Sequence, residues 1–193
     1  MAEISRVTTV GVLADTHIPD RMFNLHSDII PIFRDARVDL ILHAGDICIP
    51  AVIQELEEVA PVSAARGNRD LFFSGLHRTK IMEIAGVSVG LTHGHGNLFQ
   101  YALQKMKFMR YGYRIEHYLP MLISVMQKAS IIIFGHTHRP LNIDFNGKLL
   151  FNPGSAGLGW RDEIPPSIGL LHFYKNGSVG GEVIYLKSGY KKK

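Results

Sequence analysis

The sequence predicts an α/β protein built from two β-sheets face to face, with helices on their outer sides. Three observations carry this. Residues 7–68 repeat one unit, an apolar strand with a polar residue at its C-terminal end and a helix after it. That is the pattern of a parallel βαβ sheet. The second half instead holds Asn146-Gly147 and Asn176-Gly177 between apolar runs, a strong short-range signal of antiparallel hairpins. No low-complexity linker and no repeat of fixed period divides the two halves.

VTTVGVLAD (7–15) is β-branched and apolar and reads as a buried first strand. A helical pattern follows, with Phe23, Ile29, Ile30 and Phe33 apolar among polar neighbours. VDLILHAGD (38–46) is a second strand ending in Gly-Asp, Pro50 opens a helix through Glu58, and APVSAARGN (60–68) is a third strand ending in Gly-Asn. KIMEIAGVSVGLTHGHG (80–96) reads as two strands joined at Gly86 and ending in His93. Residues 97–128 read as mostly helical, and Ile131–Phe134 as another buried strand. LNIDFNGKLLFNPGS (141–155) and SIGLLHFYKNGSVGGEVIYL (167–186) are the two hairpins.

The length of 193 residues suits one domain with a substantial core, set at 1–186, followed by a basic tail at 187–193. An apolar share of 46% and a charged share of 20% are those of a soluble globular protein. The chain carries 21 basic and 17 acidic side chains, and Lys187, Lys191, Lys192 and Lys193 lie in the tail, so residues 1–186 are formally neutral. The basic balance therefore reports a solvated tail and argues against a nucleic-acid partner. Cys48 is the only cysteine, which excludes an intrachain disulfide and points to a reducing compartment. MAEISRVTTVGVLADTH does not read as a signal peptide, and no run approaches eighteen apolar residues. The expectation is a soluble cytoplasmic protein with no membrane partner.

Five polar clusters fall at or just after the predicted strand ends: Asp15-Thr16-His17, Gly45-Asp46, Gly67-Asn68-Arg69-Asp70, His93-Gly94-His95 and His136-Thr137-His138. Strands sharing one sheet edge would bring Asp15, His17, Asp46, Asn68, His93, His136 and His138 to one pocket. Each cluster alone has a plainer reading. Asp-x-His and Gly-Asn are turn signals and Gly-Asp is a helix cap. His-x-His puts both rings on one side of an extended chain, which suits a metal somewhat better. The ordered set is what departs from chance. It is an oxygen and imidazole set without thiolate, suited to Mn²⁺, Fe²⁺, Zn²⁺ and similar ions. Seven ligands exceed one four- to six-coordinate ion but fit two ions sharing a carboxylate. Two divalent cations against Asp15, Asp46 and a hydroxide leave about one positive charge for an anionic phosphate ester.

DTH, GD, GNRD, HGH and GHTH, in this order, resemble the motif series of the calcineurin-like metallophosphoesterases, and the small cap-less bacterial and archaeal phosphodiesterase branch in particular. The resemblance spans about residues 7–186, with HAGD and FNPGS also fitting. It implies a four-layer α-β-β-α sandwich of two mixed sheets flanked by helices. It implies that Asp15, His17, Asp46 and His138 hold one metal, and that Asp46 bridges to a second taking Asn68, His93 and His136. Mn²⁺ is the metal the branch favours, with Fe, Zn, Ni and Co as alternatives. The implied reaction is in-line attack on phosphorus by a metal-bridging hydroxide, with no covalent enzyme intermediate.

Two features depart from the family pattern. Arg69 stands where many members carry a histidine that contacts the phosphate and protonates the leaving group. An arginine is a poor general acid but can clamp a phosphate oxygen. Leaving-group protonation would then be weak or fall to His95 or water, which favours esters with good leaving groups. Plainer alternatives are a surface Arg69 paired with Asp70, and a His95 that is only a loop histidine. Asp70 is otherwise a residue that orients a ligand, and His43 either does the same or is a satisfied core histidine.

The second departure is the 42 residues between His93 and His136, more than the branch usually has, with a helical insertion at about 98–122. Lys105, Lys107, Arg110 and Arg114 interleave there with Phe99, Tyr101, Phe108, Tyr111 and Tyr113. They would stack bases and neutralise phosphates, or form an amphipathic hairpin with aromatics buried and lysines solvated, covering a sheet or a homo-oligomer interface. Asn152 and Arg161 are further residues that FNPGSAGLGWR would bring near the site.

The expected function is a dinuclear-metal phosphodiesterase acting on a small phosphate ester. A phosphomonoesterase and a non-catalytic scaffold of retromer-subunit type are the alternatives. All seven matching positions are filled, which favours the enzyme over the scaffold.

Overall fold

The computed structural model describes residues 5–71, 73–158 and 164–187. Chain order among these is β1 (Arg6–Leu13), α1 (Ile29–Asp35), β2 (Leu40–His43), α2 (Pro50–Glu57), β3 (Val62–Ala64), β4 (Thr79–Ile84) and β5 (Val87–Thr92). Then come α3 (Leu98–Tyr111), a single helical turn at Ile115–His117, α4 (Leu119–Val125), β6 (Ile131–Ile133), β7 (Leu141–Phe145), β8 (Lys148–Asn152), β9 (Ser167–Tyr174) and β10 (Val179–Tyr185). Arg161 and all of the basic tail but Lys187 lie outside the described residues. No helix of the described residues is long and apolar enough to cross a membrane.

The strands form two five-stranded sheets, ordered β10-β9-β1-β2-β3 and β4-β5-β6-β8-β7. In the first, β1, β2 and β3 run parallel and the β9–β10 hairpin adds antiparallel to β1. In the second, β5, β6 and β8 run parallel, with β4 and β7 antiparallel at the edges. Val12, Leu42, Leu91, Ile131, Ile133, Phe151 and Phe173 fill the space between the sheets. Phe33 of α1 and Leu56 of α2 pack with Ile41 on the outer face of the first sheet. Leu119 and Leu122 of α4 pack with Ile132, Phe134 and Leu150 on the outer face of the second. This is the four-layer α-β-β-α sandwich of two mixed sheets.

The run IIIF shows how sequence becomes position. Side chains alternate across a strand, so Ile131 and Ile133 enter the inter-sheet core while Ile132 and Phe134 meet α4. All four are at most 2% exposed, and each contributes about 1.5–3 kcal/mol by burial. The residues that follow therefore leave from a rigid base.

Two expectations need correction. Helix α1 starts at Ile29, and Phe23 lies before it, 57% exposed. Pro31 lacks an N–H and is tolerated only in a helix's first turn, which excludes a helix running back to Phe23. The aromatic side chains of α3 are also less buried than expected. Phe99 and Tyr111 are 76% and 60% exposed, and Gln104 is the helix's only buried residue. The reason is coverage: α4 already occupies the apolar outer face of the second sheet.

Candidate metal centre

The six parallel strands of the two sheets end on one side, and each is followed by polar residues. β1 delivers Asp15 and His17, β2 Asp46, β3 Asn68, β5 His93, β6 His136 and His138, and β8 Asn152. The carboxylate of Asp15 is the meeting point. Its Oδ1 lies 3.3 Å from His138 Nε2, 3.7 Å from His17 Nε2 and 3.9 Å from His93 Nε2. Its Oδ2 accepts a hydrogen bond from the His136 backbone N–H at 3.0 Å. Asp46 faces two ways: Oδ2 is 3.7 Å from His17 Nε2, and Oδ1 is 3.5 Å from His93 Nε2. Asn68 Oδ1 lies 3.1 Å from His93 Nε2, and the His136 ring meets the His93 ring edge-on at 5.1 Å.

These donors fit divalent cations. Asp15 Oδ1 is fully buried among three imidazoles and makes no hydrogen bond, a costly arrangement unless a cation completes it. His93 Nδ1 sits 2.8 Å from the Ala44 carbonyl and His138 Nδ1 sits 3.2 Å from the Leu158 carbonyl. Both rings thus donate from Nδ1 and turn Nε2 inward, the orientation that ligating histidines usually have. Two groups, Asp15-His17-His138 and Asp15-Asp46-His93, each place one donor atom per residue within 4.8 Å of the others. Asn68 adjoins the second group through His93. His136 lies on the same side, against His93, His95 (6.1 Å) and Tyr101 (5.6 Å).

Backbone geometry reinforces this reading. Asp15, His17, Asp46, His136 and His138 all have φ between 52° and 68°. This left-handed region costs a non-glycine residue of order 1 kcal/mol or more and gathers at functional sites. In DTH and HTH alike the first and third residues are left-handed, so one local fold serves both pairs. Gly67 and Gly135 allow the close approach. A Cβ on Gly67 would overlap the Asp46 backbone nitrogen and Oδ1, and one on Gly135 would lie 2.8 Å from Asp15 Oδ2.

The clamps holding this geometry are partly new. Asp70, 1% exposed, accepts four backbone N–H bonds: Asp46 and Gly67 donate to Oδ2, and Ile47 and Cys48 donate to Oδ1, all at 2.7–2.9 Å. Asp70 thus orients the Asp46 turn. The pairing of Arg69 with Asp70 is not formed, because Arg69 Nη1 reaches Asp20 Oδ2 at 3.2 Å across a half-exposed rim. The Arg69 backbone N–H donates to Asp46 Oδ1 at 2.7 Å. Asn152 Nδ2 donates to the Gly135 carbonyl and to Thr137 Oγ1, which fixes the HTH turn. Ser155 Oγ donates to the Asp15 carbonyl. Neither Ser155 nor Asp20 was identified from sequence, where only FNPGS hinted at the first. His43 is buried, with Nε2 3.2 Å from Thr16 Oγ1 and Nδ1 accepting from the Gly45 N–H. It supports both turns from beneath.

Electrostatics divide the site into anions and neutral rings. Burial would raise the Asp15 pKa, but His138 and His93 outweigh it and hold the carboxyl at about 2. Burial is likewise outweighed at Asp46, mainly by His93 and then His17, leaving it well below the usual carboxylate range. Burial would lower His93, yet Asp46 and Asp15 push it up to about 9. Burial dominates elsewhere and pushes His17, His43 and His95 down to about 4 and His136 to about 3. At neutral pH the centre therefore offers two carboxylates and mostly unprotonated imidazoles. Burial also pushes the half-buried Cys48 thiol up to about 12, so the cysteine beside Asp46 is no nucleophile. His95 lies 5.3 Å from His93 with its Nδ1 buried and unpartnered.

Residues 9–176 match the calcineurin-like phosphoesterase superfamily domain. The chain belongs to this family. A probable metallophosphoesterase of Methanothermobacter thermautotrophicus is 36% identical over 148 residues, 76% of each chain. A phosphodiesterase of Methanocaldococcus jannaschii is 26% identical over 177 residues, covering 84% of this chain and 91% of its own. Among solved structures, vacuolar protein sorting 29 (Vps29) from Cryptosporidium parvum aligns with a TM-score of 0.73 at 21% identity, over 98% of this chain and 96% of its own. Vps29 from Entamoeba histolytica in complex with Zn²⁺ aligns with a TM-score of 0.66 at 26% identity, over 92% and 98%. The family match covers β1 to β9 and with them every strand end that carries a candidate donor.

Proposed function

We propose that the chain is a phosphodiesterase that works with two divalent metal ions, Mn²⁺ foremost. Asp15, His17, Asp46 and His138 would hold one ion, and Asp46, Asn68, His93 and His136 the other. The observation that carries this is the Asp46 carboxylate, one oxygen directed at His17 and the other at His93, as a residue shared by two ions requires. Bound ions would supply a water nucleophile at neutral pH and offset the charge gathering on phosphorus. Hydrolysis consumes one water and yields a phosphomonoester and an alcohol.

The chain's own groups would do the rest. Arg69, tethered at the rim by Asp20, would grip a phosphate oxygen. His95, held near pH 4 by its buried setting, is neutral at pH 7 and would hydrogen-bond the departing oxygen rather than deliver a full proton. Esters with good leaving groups should therefore react best. The diester preference rests on the phosphodiesterase relative and on the match between a singly charged diester and the centre's balance of about one positive charge.

A scaffold reading draws support from the likeness to Vps29 and from Phe99, Met106 and Met109 standing exposed along α3, a face that would take a partner or a second copy. The filled donor set weighs against it.

The test is hydrolysis of bis-p-nitrophenyl phosphate and p-nitrophenyl phosphate with Mn²⁺, in wild type and Asp46→Asn. The expected result is faster diester turnover, a loss of at least about a hundredfold in the variant, and reduced metal content. Full activity of Asp46→Asn at unchanged metal content would sink the two-ion mechanism.

A further inference from the structure

A cavity of about 190 Å³ opens beside the metal centre. His136 and Thr137 form its inner end, and the α3 segment supplies most of its wall through Tyr101, Gln104, Lys105 and Tyr113. Gln104 is the decisive residue. It is the one buried side chain of a 14-residue helix, it is 6% exposed, and its Oε1 makes no hydrogen bond. A buried carbonyl left unsatisfied costs about 1–3 kcal/mol, and the residue that carries it is part of the cavity wall. Its chemistry calls for an N–H donor from a bound molecule.

The remaining wall says what kind of molecule. Tyr101 and Tyr118 stand 5.6 and 6.4 Å from the His136 ring, and both line the cavity. The Arg139 guanidinium lies over the Tyr113 ring at 4.9 Å, and Lys105 stands at the opening. Aromatic faces and cation-backed rings take flat bases without regard to charge, and a glutamine amide pairs with the donor-acceptor edge of a purine. The volume lies below the roughly 300–1,000 Å³ of pockets that enclose a whole drug-sized ligand, so the cavity accepts one ring system. The formally neutral body of residues 1–186 offers little counterion release to a long strand, which favours a mononucleoside ester.

Building on the phosphoesterase reading above, we propose that the segment carrying α3 is a base-binding wall, and that the substrate is a nucleoside phosphodiester whose nucleobase enters this cavity with its N–H edge on Gln104. The phosphate of such a molecule reaches the metal centre at His136. The inserted segment thus selects the ester, while the strand-end residues act on the phosphorus.

Two esters with the same leaving group and charge separate recognition from chemistry: adenosine 5′-(p-nitrophenyl phosphate) and methyl p-nitrophenyl phosphate, each assayed with Mn²⁺. Wild type should prefer the adenosine ester at least about tenfold in kcat/KM, the scale of one stacked base, and Gln104→Leu, which removes the edge contact and leaves the aromatic wall, should lower that ratio at least about threefold. Equal kcat/KM in wild type, or an unchanged ratio in the variant, overturns the base-binding wall and leaves the phosphoesterase reading standing. Hydrolysis of neither ester sinks the phosphoesterase reading instead. Adenosine binding by equilibrium dialysis, on wild type and Gln104→Leu folded as judged by circular dichroism, then decides: binding lost in the variant supports the wall, and equal or absent binding overturns it.

Discussion

Asp70→Asn tests whether the centre is held by its ligands or by the buried carboxylate beneath them. Asp70 receives two backbone N–H groups on each oxygen. An asparagine keeps one oxygen and turns an NH₂ toward the other two donors, so two bonds are lost whichever way the amide sits. Hydrogen bonds to a charged group contribute about 1.5–3 kcal/mol each, which gives a loss of about 3–6 kcal/mol. That is a large share of a net stability of about 5–15 kcal/mol. Urea unfolding at 25 °C with chelator present should show the midpoint falling by about 1–2 M, taking a slope near 3 kcal/mol per M. Mn²⁺ affinity should fall by about ten- to a hundredfold, the usual effect of removing a group that positions a ligand, because Asp46 sits at φ 57° and relaxes once unclamped. Arg69→Ala is the contrast. Its partner Asp20 is partly exposed, and such pairs contribute about 0–1 kcal/mol. A midpoint within about 0.3 M of wild type for Asp70→Asn, or a larger loss for Arg69→Ala, would refute the reasoning.

Two further outcomes follow from protonation. His93, pushed up to about 9 by Asp46 and Asp15, is protonated at pH 7.5 and must release its proton to accept a metal; Mn²⁺ titrations in buffers of different ionisation enthalpy should differ by about one such enthalpy per centre, and identical heats would contradict the assignment. The chelator-treated protein should be most stable near pH 7, where the five unfolded histidines together hold about as many protons as His93 holds when folded. Below it, His17, His43, His95 and His136 stay neutral when folded but charge at their ordinary value when unfolded, so the unfolded chain binds more protons and stability falls as pH drops toward 4, by up to about 1.4 kcal/mol per pH unit for each proton. Above it, His93 keeps a proton that the unfolded chain loses, joined close to pH 9 by Cys48, so stability falls more gently as pH rises toward 9. A urea midpoint flat from pH 4 to 9 would count against both.

The fold was readable wherever one residue's surroundings are local. The period-two alternation of Ile131–Phe134 and the Asn146-Gly147 turn were visible because a strand's faces and a turn's φ depend on adjacent residues. The parallel pairs β5–β6 and β6–β8 were not, since nothing within either strand names a partner some 20 to 40 residues away. The start of α1 is set by Pro31 in its first turn, a stronger local constraint than the apolar spacing that reaches back to Phe23. The candidate ligands were readable for a topological reason: each ends a parallel strand, and such ends gather on one side.

The left-handed backbone of five of those residues was not readable, and it shows what their motifs leave out. None of the five is glycine, and Asp and His carry no mark of φ beyond a mild tolerance for it. At about 1 kcal/mol or more apiece, the five together strain the site by roughly 5 kcal/mol, which bonds from elsewhere must offset. Those bonds come from Asp70, Asn152 and Ser155, none of them a candidate ligand. The Asp70 clamp joins segments more than twenty residues apart, and the Ser155 bond spans 140. The D-x-H and H-x-H spacings therefore identify which atoms face the centre, while its shape is set by acceptors and donors whose role appears only when separate strand ends meet. Gln104 follows the same logic in reverse. Inside α3 it reads as an ordinary helix residue capable of facing water, and only the wall opposite reveals its carbonyl as buried and still waiting for a donor.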